Sequence, residues 1–372
     1  MSGERSQSRA MHSSSLVIAP ELAGCGWRAE LPAAKALAQH ASGRVARVIE
    51  QHRSGYKVST GEREFAVQSP AAWLRPGLLP EERAAVGDFV LLDPRQDLIV
   101  ALLPRHSLLR RGAAGEHYKQ QLIAANVDTV LVIAGLDHDF NPRRLERYLV
   151  LVRGSGAAVV FVLTKADLCA DADARLASLA GLREQGCAVL PVNAKDASST
   201  AALEPWLSAG QSLVLIGSSG AGKSTLTNTL LGCEKQKTGA VRQTDSRGRH
   251  TTTHRALIRL PGGACLIDTP GMRELKLTGE EDLAEGGFDD IEALAANCRF
   301  RDCQHEREPG CAVQAALAAG QLDPDRLAHY RKLQDELAAA GQSLAAQRAR
   351  RAEDRILNRA LNKRLHEKYG RR

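Results

Sequence analysis

Leu213-Val-Leu-Ile-Gly217-Ser218-Ser219-Gly220-Ala221-Gly222-Lys223-Ser224-Thr225 is the stretch that decides the fold. An apolar run of strand type enters a turn with the spacing G-x-x-x-x-G-K-[S/T] and leaves it as a helix. The glycines let successive backbone N–H groups face the oxygens of a phosphate chain, and the helix N-terminus favours the same charge. Lys223 is expected to neutralise the β- and γ-phosphates of a nucleoside triphosphate, and Ser224 to ligate Mg²⁺. Strand, phosphate loop and helix in this order belong to a sheet covered by helices, so this part of the chain reads as α/β.

The flanking sequence agrees. Apolar runs of strand type lie at 129–134, 158–164, 188–192, 212–217, 256–260 and 264–268, with helical stretches such as 143–153 and 223–231 between some of them. That alternation is the grammar of a mostly parallel sheet. A domain spanning 118–276 is expected to carry the nucleotide.

A phosphate loop does not choose the base. Thr164-Lys165-Ala166-Asp167 follows the run 158–164, where a base-reading loop at the carboxyl edge of a sheet belongs. A carboxylate at Asp167 accepts hydrogen bonds from N1–H and the 2-amino group of guanine. Adenine has an acceptor at N1 and no 2-amino group, so GTP is the expected nucleotide. Asn193-Ala194-Lys195, after 188–192, suits a second base-contacting loop. Asp268-Thr-Pro-Gly271 closes the run 264–268; an acid there holds Mg²⁺ through water, and the Gly271 N–H meets the γ-phosphate. Arg247-Gly-Arg-His250-Thr-Thr252-Thr253 lies where a γ-phosphate-sensing switch belongs, and one of its threonines, with Thr252 the candidate, should reach Mg²⁺. Ordinary small GTPases place both base loops after the phosphate loop. Here they precede it, which is a circular permutation, and a sheet survives that because domain termini often lie close together.

Residues 42–105 carry five short strand-like runs, 44–50, 55–60, 63–68, 88–93 and 98–103, broken by Gly, Pro, Ser and Asp. Their number and spacing suggest a small barrel of OB type. Residues 1–41 are rich in Ser, Ala and Arg without a sustained period and read as mostly disordered, apart from a short helix near 33–39. Residues 277–340 read as helices around a cysteine cluster, and 341–372 as a basic helical tail.

In that cluster, Cys298-x₄-Cys303-x-His305-x₅-Cys311 offers three thiolates and an imidazole, a standard closed set for one structural Zn²⁺ per chain. Eight cysteines in a large chain with no secretory h-region point to metal binding rather than a disulfide framework. Helices this short bury too little surface to hold the loop unaided, so zinc is expected to fold it. No apolar run reaches membrane-spanning length, and a cytoplasmic monomer is expected. The net charge is +7, and residues 341–372, with ten Lys/Arg against three Asp/Glu, carry all of the excess. That is the footprint of a nucleic-acid or other acidic partner. A solubilising tail would have the same composition.

The permuted order, the G-R-H-T-T-T switch, Asp268-T-P-G-M-R-E and the spaced Cys/His cluster together resemble the bacterial ribosome-small-subunit-dependent GTPases. Gln121 to Asp128 is also similar to that family's entry into its GTPase domain. The resemblance covers about 42–340 and implies an OB barrel, a permuted GTPase domain and a C-terminal zinc domain. It also implies GTP hydrolysis to GDP stimulated by the 30S subunit, contact with its 16S rRNA, and a role in late 30S maturation. Two positions depart from the family: Thr164 stands for the usual Asn, and Asn193 for a frequent Ser. Asp167 is kept. Ras-like enzymes place a water-orienting Gln after D-x-x-G; here Met272 stands there, so the isolated protein should be slow. His250 in the switch, or a ribosomal group, is expected to position the water; His250 could equally contact rRNA or shape the switch. The competing readings are a P-loop ATPase or small-molecule kinase, and a non-enzymatic RNA-binding protein with a structural nucleotide.

Overall fold

The computed structural model describes residues 16–52, 55–75, 78–112, 120–233, 255–269 and 277–369. The chain begins with β1 (Leu16–Val17), β2 (Gly43–Gln51), β3 (Gly55–Ser59), β4 (Glu64–Gln68), β5 (Phe89–Leu92) and β6 (Ile99–Leu102). β2 is the hub. Its residues 47–51 pair with β3 and its residues 44–47 with β5, both antiparallel, with a bulge between Val48 and Glu50. β3 pairs with β4 and β5 with β6, and a parallel bridge from Gln68 to Leu98 brings the two ends of this sheet together.

Residues 16–41 correct the expectation of disorder wherever they are described. Two 3₁₀ turns and the short helix Pro32–Ala36 bury Leu22, Cys25, Leu31, Ala33 and Leu37 against Val45, Phe89 and Leu91. The turn at 20–25 buries apolar side chains without showing a helical or strand period, which is why the sequence pattern missed it, whereas the short helix expected near 33–39 is found as Pro32–Ala36 and Leu37–Gln39.

β7 (Leu108–Gly112) and β8 (Gln120–Ala125) form an antiparallel hairpin that the strand pattern did not register. The main sheet continues with β9 (Thr129–Gly135), β10 (Ala158–Thr164), β11 (Ala188–Pro191), β12 (Ser212–Gly217), β13 (Ala256–Arg259) and β14 (Cys265–Asp268). Its order is β11-β10-β9-β12-β14-β13, parallel except for β13. β9 and β12 are buried along their whole length. Alternate residues feed two cores: Val130, Val132, Val214 and Ile216 point to one face, Leu131, Ile133, Leu213 and Leu215 to the other. A sheet covered on both faces reads as continuous apolar runs, as these do. β13 meets β2 through one residue pair, Ala256 with Glu50, which joins the N-terminal strands to the main sheet.

C-terminal to the sheet come the helices Asp289–Ala295, Ala312–Ala318 and Pro324–Tyr369. The last corrects the expected division at 340/341, because it runs unbroken through that point. Gly341 lies in this helix where the turn at Gly279 crosses it; a Cβ on Gly279 would meet the Gly341 N at 2.4 Å. Arg326 pairs with Asp290 at 2.7 Å, and Arg147 of the helix Pro142–Arg153 pairs with Glu336 at 2.7 Å.

Candidate nucleotide-binding site

The parallel register brings the C-terminal ends of β10, β9 and β12 to one edge. Thr164 pairs with Gly135, and Gly217 with Ile133. The base loop therefore leaves β10, the phosphate loop leaves β12, and the two strands flank β9. At strand spacings near 4.8 Å the ends of β10 and β12 lie about 10 Å apart, which suits a base beyond one and phosphates beyond the other.

Gly217 has φ +147, and a Cβ there would strike the Ile133 carbonyl oxygen at 2.1 Å, so no other residue fits. Gly220 and Gly222 have φ +80 and +93. Gly222 directly precedes the helix Lys223–Leu231, whose first turn holds Ser224 and Thr225. Ser219 and Gly220 are exposed, and Ala221 is buried. Lys223 Nζ donates to the Gly217 and Ser218 carbonyls at 2.8 and 2.6 Å, so the ammonium lies folded across the loop it belongs to.

Three hydrogen bonds join the loops. Thr164, fully buried, donates its Oγ1 to the Ala221 carbonyl of the phosphate loop at 2.6 Å. Thr229, in the helix behind that loop, donates to the Ala194 carbonyl at 2.6 Å. The Ala166 N–H donates to the Val192 carbonyl, linking the two base loops. Asp167 is exposed at the edge of the base loop, and Asn193 accepts the Lys195 N–H on its Oδ1 at 3.0 Å. Asp268 ends β14, the strand beside β12. Ser224 and Asp268 thus come from neighbouring elements at one edge, an oxygen donor set of the kind Mg²⁺ takes alongside phosphates. His250, Thr252 and Gly271 lie outside the described residues.

The sequence reading missed the loop after β9. Asp137 pairs with Lys165 at 2.5 Å. Burial pushes the Asp137 carboxyl up, but the Lys165 ammonium and the Asp139 N–H together hold the group below the ordinary carboxylate range. Asp139 accepts a short hydrogen bond from Ser218 Oγ and pairs with Arg144 at 2.9 Å. No motif flags these residues; only the position of β9 between the two loops does.

Away from this edge, Cys298, Cys303, His305 and Cys311 converge, with their ligand atoms within 4.8 Å of one another. Cys298 Sγ lies 3.9 Å from Cys311 Sγ and 3.5 Å from His305 Nδ1, and Cys311 Sγ lies 3.6 Å from that nitrogen. A tetrahedral Zn²⁺ with bonds of about 2.3 Å to sulfur and about 2.1 Å to nitrogen requires edges near these lengths. The residues therefore fit a metal. His305 takes φ +61, and its carbonyl accepts from Gln314 and Arg331, which fixes the backbone of the turn.

A phosphate loop joined to base loops that precede it in the chain defines a circularly permuted P-loop GTPase. Known proteins agree. The family model described as RsgA GTPase matches residues 102–278. A protein of Xanthomonas campestris pv. campestris (strain B100), named small ribosomal subunit biogenesis GTPase RsgA, is 63% identical over 318 residues, covering 85% of this chain and 87% of its own length. A protein of the same name from Xanthomonas axonopodis pv. citri (strain 306) is 60% identical over 332 residues, covering 88% of this chain and 91% of its own. Among solved structures, YjeQ from Thermotoga maritima aligns with a TM-score of 0.56 at 24% identity, covering 79% of this chain and 98% of that one. YloQ, described as a circularly permuted GTPase, aligns with a TM-score of 0.56 at 23% identity, covering 81% and 96%. The chain belongs to the RsgA GTPase family, and it is a GTP hydrolase.

Proposed function

We propose that this GTPase acts in biogenesis of the small ribosomal subunit, binding the 30S particle and its 16S rRNA in the cytoplasm and hydrolysing GTP to GDP faster when bound. The observation that carries this is the 63% identity, over 85% of the chain, to proteins named for that role. Among the described residues no helix is long and apolar enough to cross a membrane.

In this reading residues 217–225 cradle the phosphates and Lys223 stabilises charge on them. Thr164, Lys165, Ala166, Asp167, Asn193 and Ala194 hold guanine, with Asp167 choosing it over adenine. Ser224, Thr252 and Asp268, the last through water, would hold Mg²⁺, which supplies charge neutralisation when bound. Gly271 meets the γ-phosphate, and His250 or a ribosomal group positions water in place of the Gln that Met272 replaces. Cys298, Cys303, His305 and Cys311 hold one structural zinc. The strands β2 to β6, closed by the Gln68–Leu98 bridge, support an OB-type barrel as one rRNA-binding arm. The basic tail, with ten Lys/Arg against three Asp/Glu over 341–372, supports a second.

The test is GTP turnover with and without purified 30S particles. Stimulation is expected, and equal rates would remove the ribosome from the mechanism. Single-turnover hydrolysis by His250→Ala, with and without 30S, decides the role of that histidine: unchanged rates in both would exclude it.

A further inference from the structure

The sheet order places β9 between the strand that carries the base loop and the strand that carries the phosphate loop. The loop at 136–141 is therefore the element that emerges between them, and it touches both. Asp137 takes the Lys165 ammonium, and Asp139 takes the Ser218 hydroxyl. The loop is braced in turn: Arg175 donates to the Asp137 carbonyl at 2.7 Å, and Arg144 holds Asp139 by both carboxylate and carbonyl. The Asn141 side chain caps the following helix, Pro142–Arg153, by accepting the Arg144 N–H at 3.1 Å, so the loop ends on a fixed element.

Lys165 has φ +61, a backbone conformation that a residue with a long side chain rarely adopts. Its backbone is held on both sides, by Thr164 Oγ1 on the Ala221 carbonyl and by the Ala166 N–H on the Val192 carbonyl, and its side chain reaches the next loop through the ion pair with Asp137. The pair occupies the Lys165 charge at the end of its side chain and leaves the four-carbon stem between the base loop and the loop at 136–141.

We propose that Asp137 is a positioning residue for the nucleotide base: it pins Lys165 so that the lysine stem lies along the face of the purine, while Asp139 fixes the phosphate loop at the matching distance. This rests on the reading of Thr164-Lys165-Ala166-Asp167 as the base loop. The contact is to the face of the ring, so it is blind to the groups on the base edge that Asp167 reads. Asp137 thus contributes affinity without base selectivity, whereas Asp167 contributes selectivity.

The experiment is fluorescent-nucleotide titration of the full-length protein with GDP, IDP and ADP, for wild type, Asp137→Asn, Lys165→Met and the double variant, with thermal melting of each. Asp137→Asn should weaken GDP and IDP equally, by about tenfold, as expected for loss of a charge-assisted contact. Lys165→Met should lose at least as much, and the double variant no more than Lys165→Met alone, because Asp137 acts through the lysine. The maximal 30S-stimulated rate at saturating GTP should stay within about twofold in Asp137→Asn, since uniform binding is what is removed. Additive losses in the double variant, or wild-type affinity in Asp137→Asn with an unchanged melting temperature, would overturn the proposal while leaving the base loop intact. Should Asp137→Asn melt early, Asp137→Glu, which restores the carboxylate, must recover affinity, and failure to do so also overturns it. Wild-type protein that does not prefer GDP to ADP would overturn the base-loop reading itself.

Discussion

At Thr164 one hydroxyl does the joining that the fold needs between its two nucleotide loops. It is fully buried and donates to the Ala221 carbonyl at 2.6 Å. Thr164→Val keeps the shape and leaves that carbonyl without its donor, which costs roughly 1–3 kcal/mol. A fall in melting temperature together with weaker GTP binding is expected, and a variant that melts and binds like wild type would show that the loops are held otherwise. Asp167→Asn replaces an accepting oxygen with a donor. Guanine then loses an acceptor, and xanthine, with a carbonyl where guanine has its amino group, gains a partner. Competition titration should show GTP affinity falling by roughly a hundredfold or more and xanthosine triphosphate improving, since sites that leave polar groups unpaired discriminate strongly. The motif residues were legible because phosphate, purine and metal each demand a side chain of one kind at one spacing. Asp137 and Asp139 were not, because their significance comes from strand order, which local pattern does not contain.

At the level of elements, the sequence runs and the observed strands differ by about one residue at each end, as 44–50 against Gly43–Gln51 and 256–260 against Ala256–Arg259 show. Alternating or continuous burial writes itself into the pattern, so strands in a packed sheet are readable. The folded turn at 20–25 was not, since it takes its stability from contact with β2 and β5 rather than from its own periodicity. The four residues of the Cys/His cluster sit between short helices, and the loop from Cys298 to Cys311 contributes Cys311 to the core. Metal analysis should return one zinc per chain. Chelation should lower the melting temperature, because binding of the ion is part of the folding free energy of such a loop. Metal-free protein with an unaltered melt would rule out a structural ion.

For the whole molecule the decisive side chain is Arg47, which is fully buried and links four parts of the chain. It donates to the Cys25, Gly87 and Asn126 carbonyls and to Ser212 Oγ, the last at 2.8 Å on the first residue of β12. Its stack over Phe89, at 4.9 Å, adds a cation–π contact. Arg47→Met takes the donor from the Cys25 and Asn126 carbonyls and from Ser212 Oγ, while the Gly87 carbonyl keeps the Asn126 amide. By analogy with breaking a buried charged network it should cost about 3–5 kcal/mol, read by denaturant unfolding; a loss under about 1 kcal/mol would contradict the role given to it. Nearby, Arg28 forks onto Asp128, which also accepts the Ser212 N–H at 2.7 Å. Burial raises the Asp128 carboxyl, but His106, Arg28 and that N–H together hold it far below the ordinary carboxylate range. A depressed carboxylate stabilises the fold above its unfolded value, near 4, and this contribution is lost as pH falls below that. Stability measured between pH 6 and pH 3 should therefore drop less steeply in Arg28→Ala than in wild type, and parallel curves would assign the acid sensitivity elsewhere. The place of β12 at the centre of the sheet has a consequence for synthesis. Chains emerge N-terminus first, so β9, β10 and β11 and both base loops leave the exit tunnel before β12, and β14 follows last. On the proposed assignment of the loops, the half that would recognise the purine is made first, and the half that would grip the triphosphate closes it. A nascent chain stalled before Asp268 would thus be incompetent for turnover, however completely its earlier loops had folded.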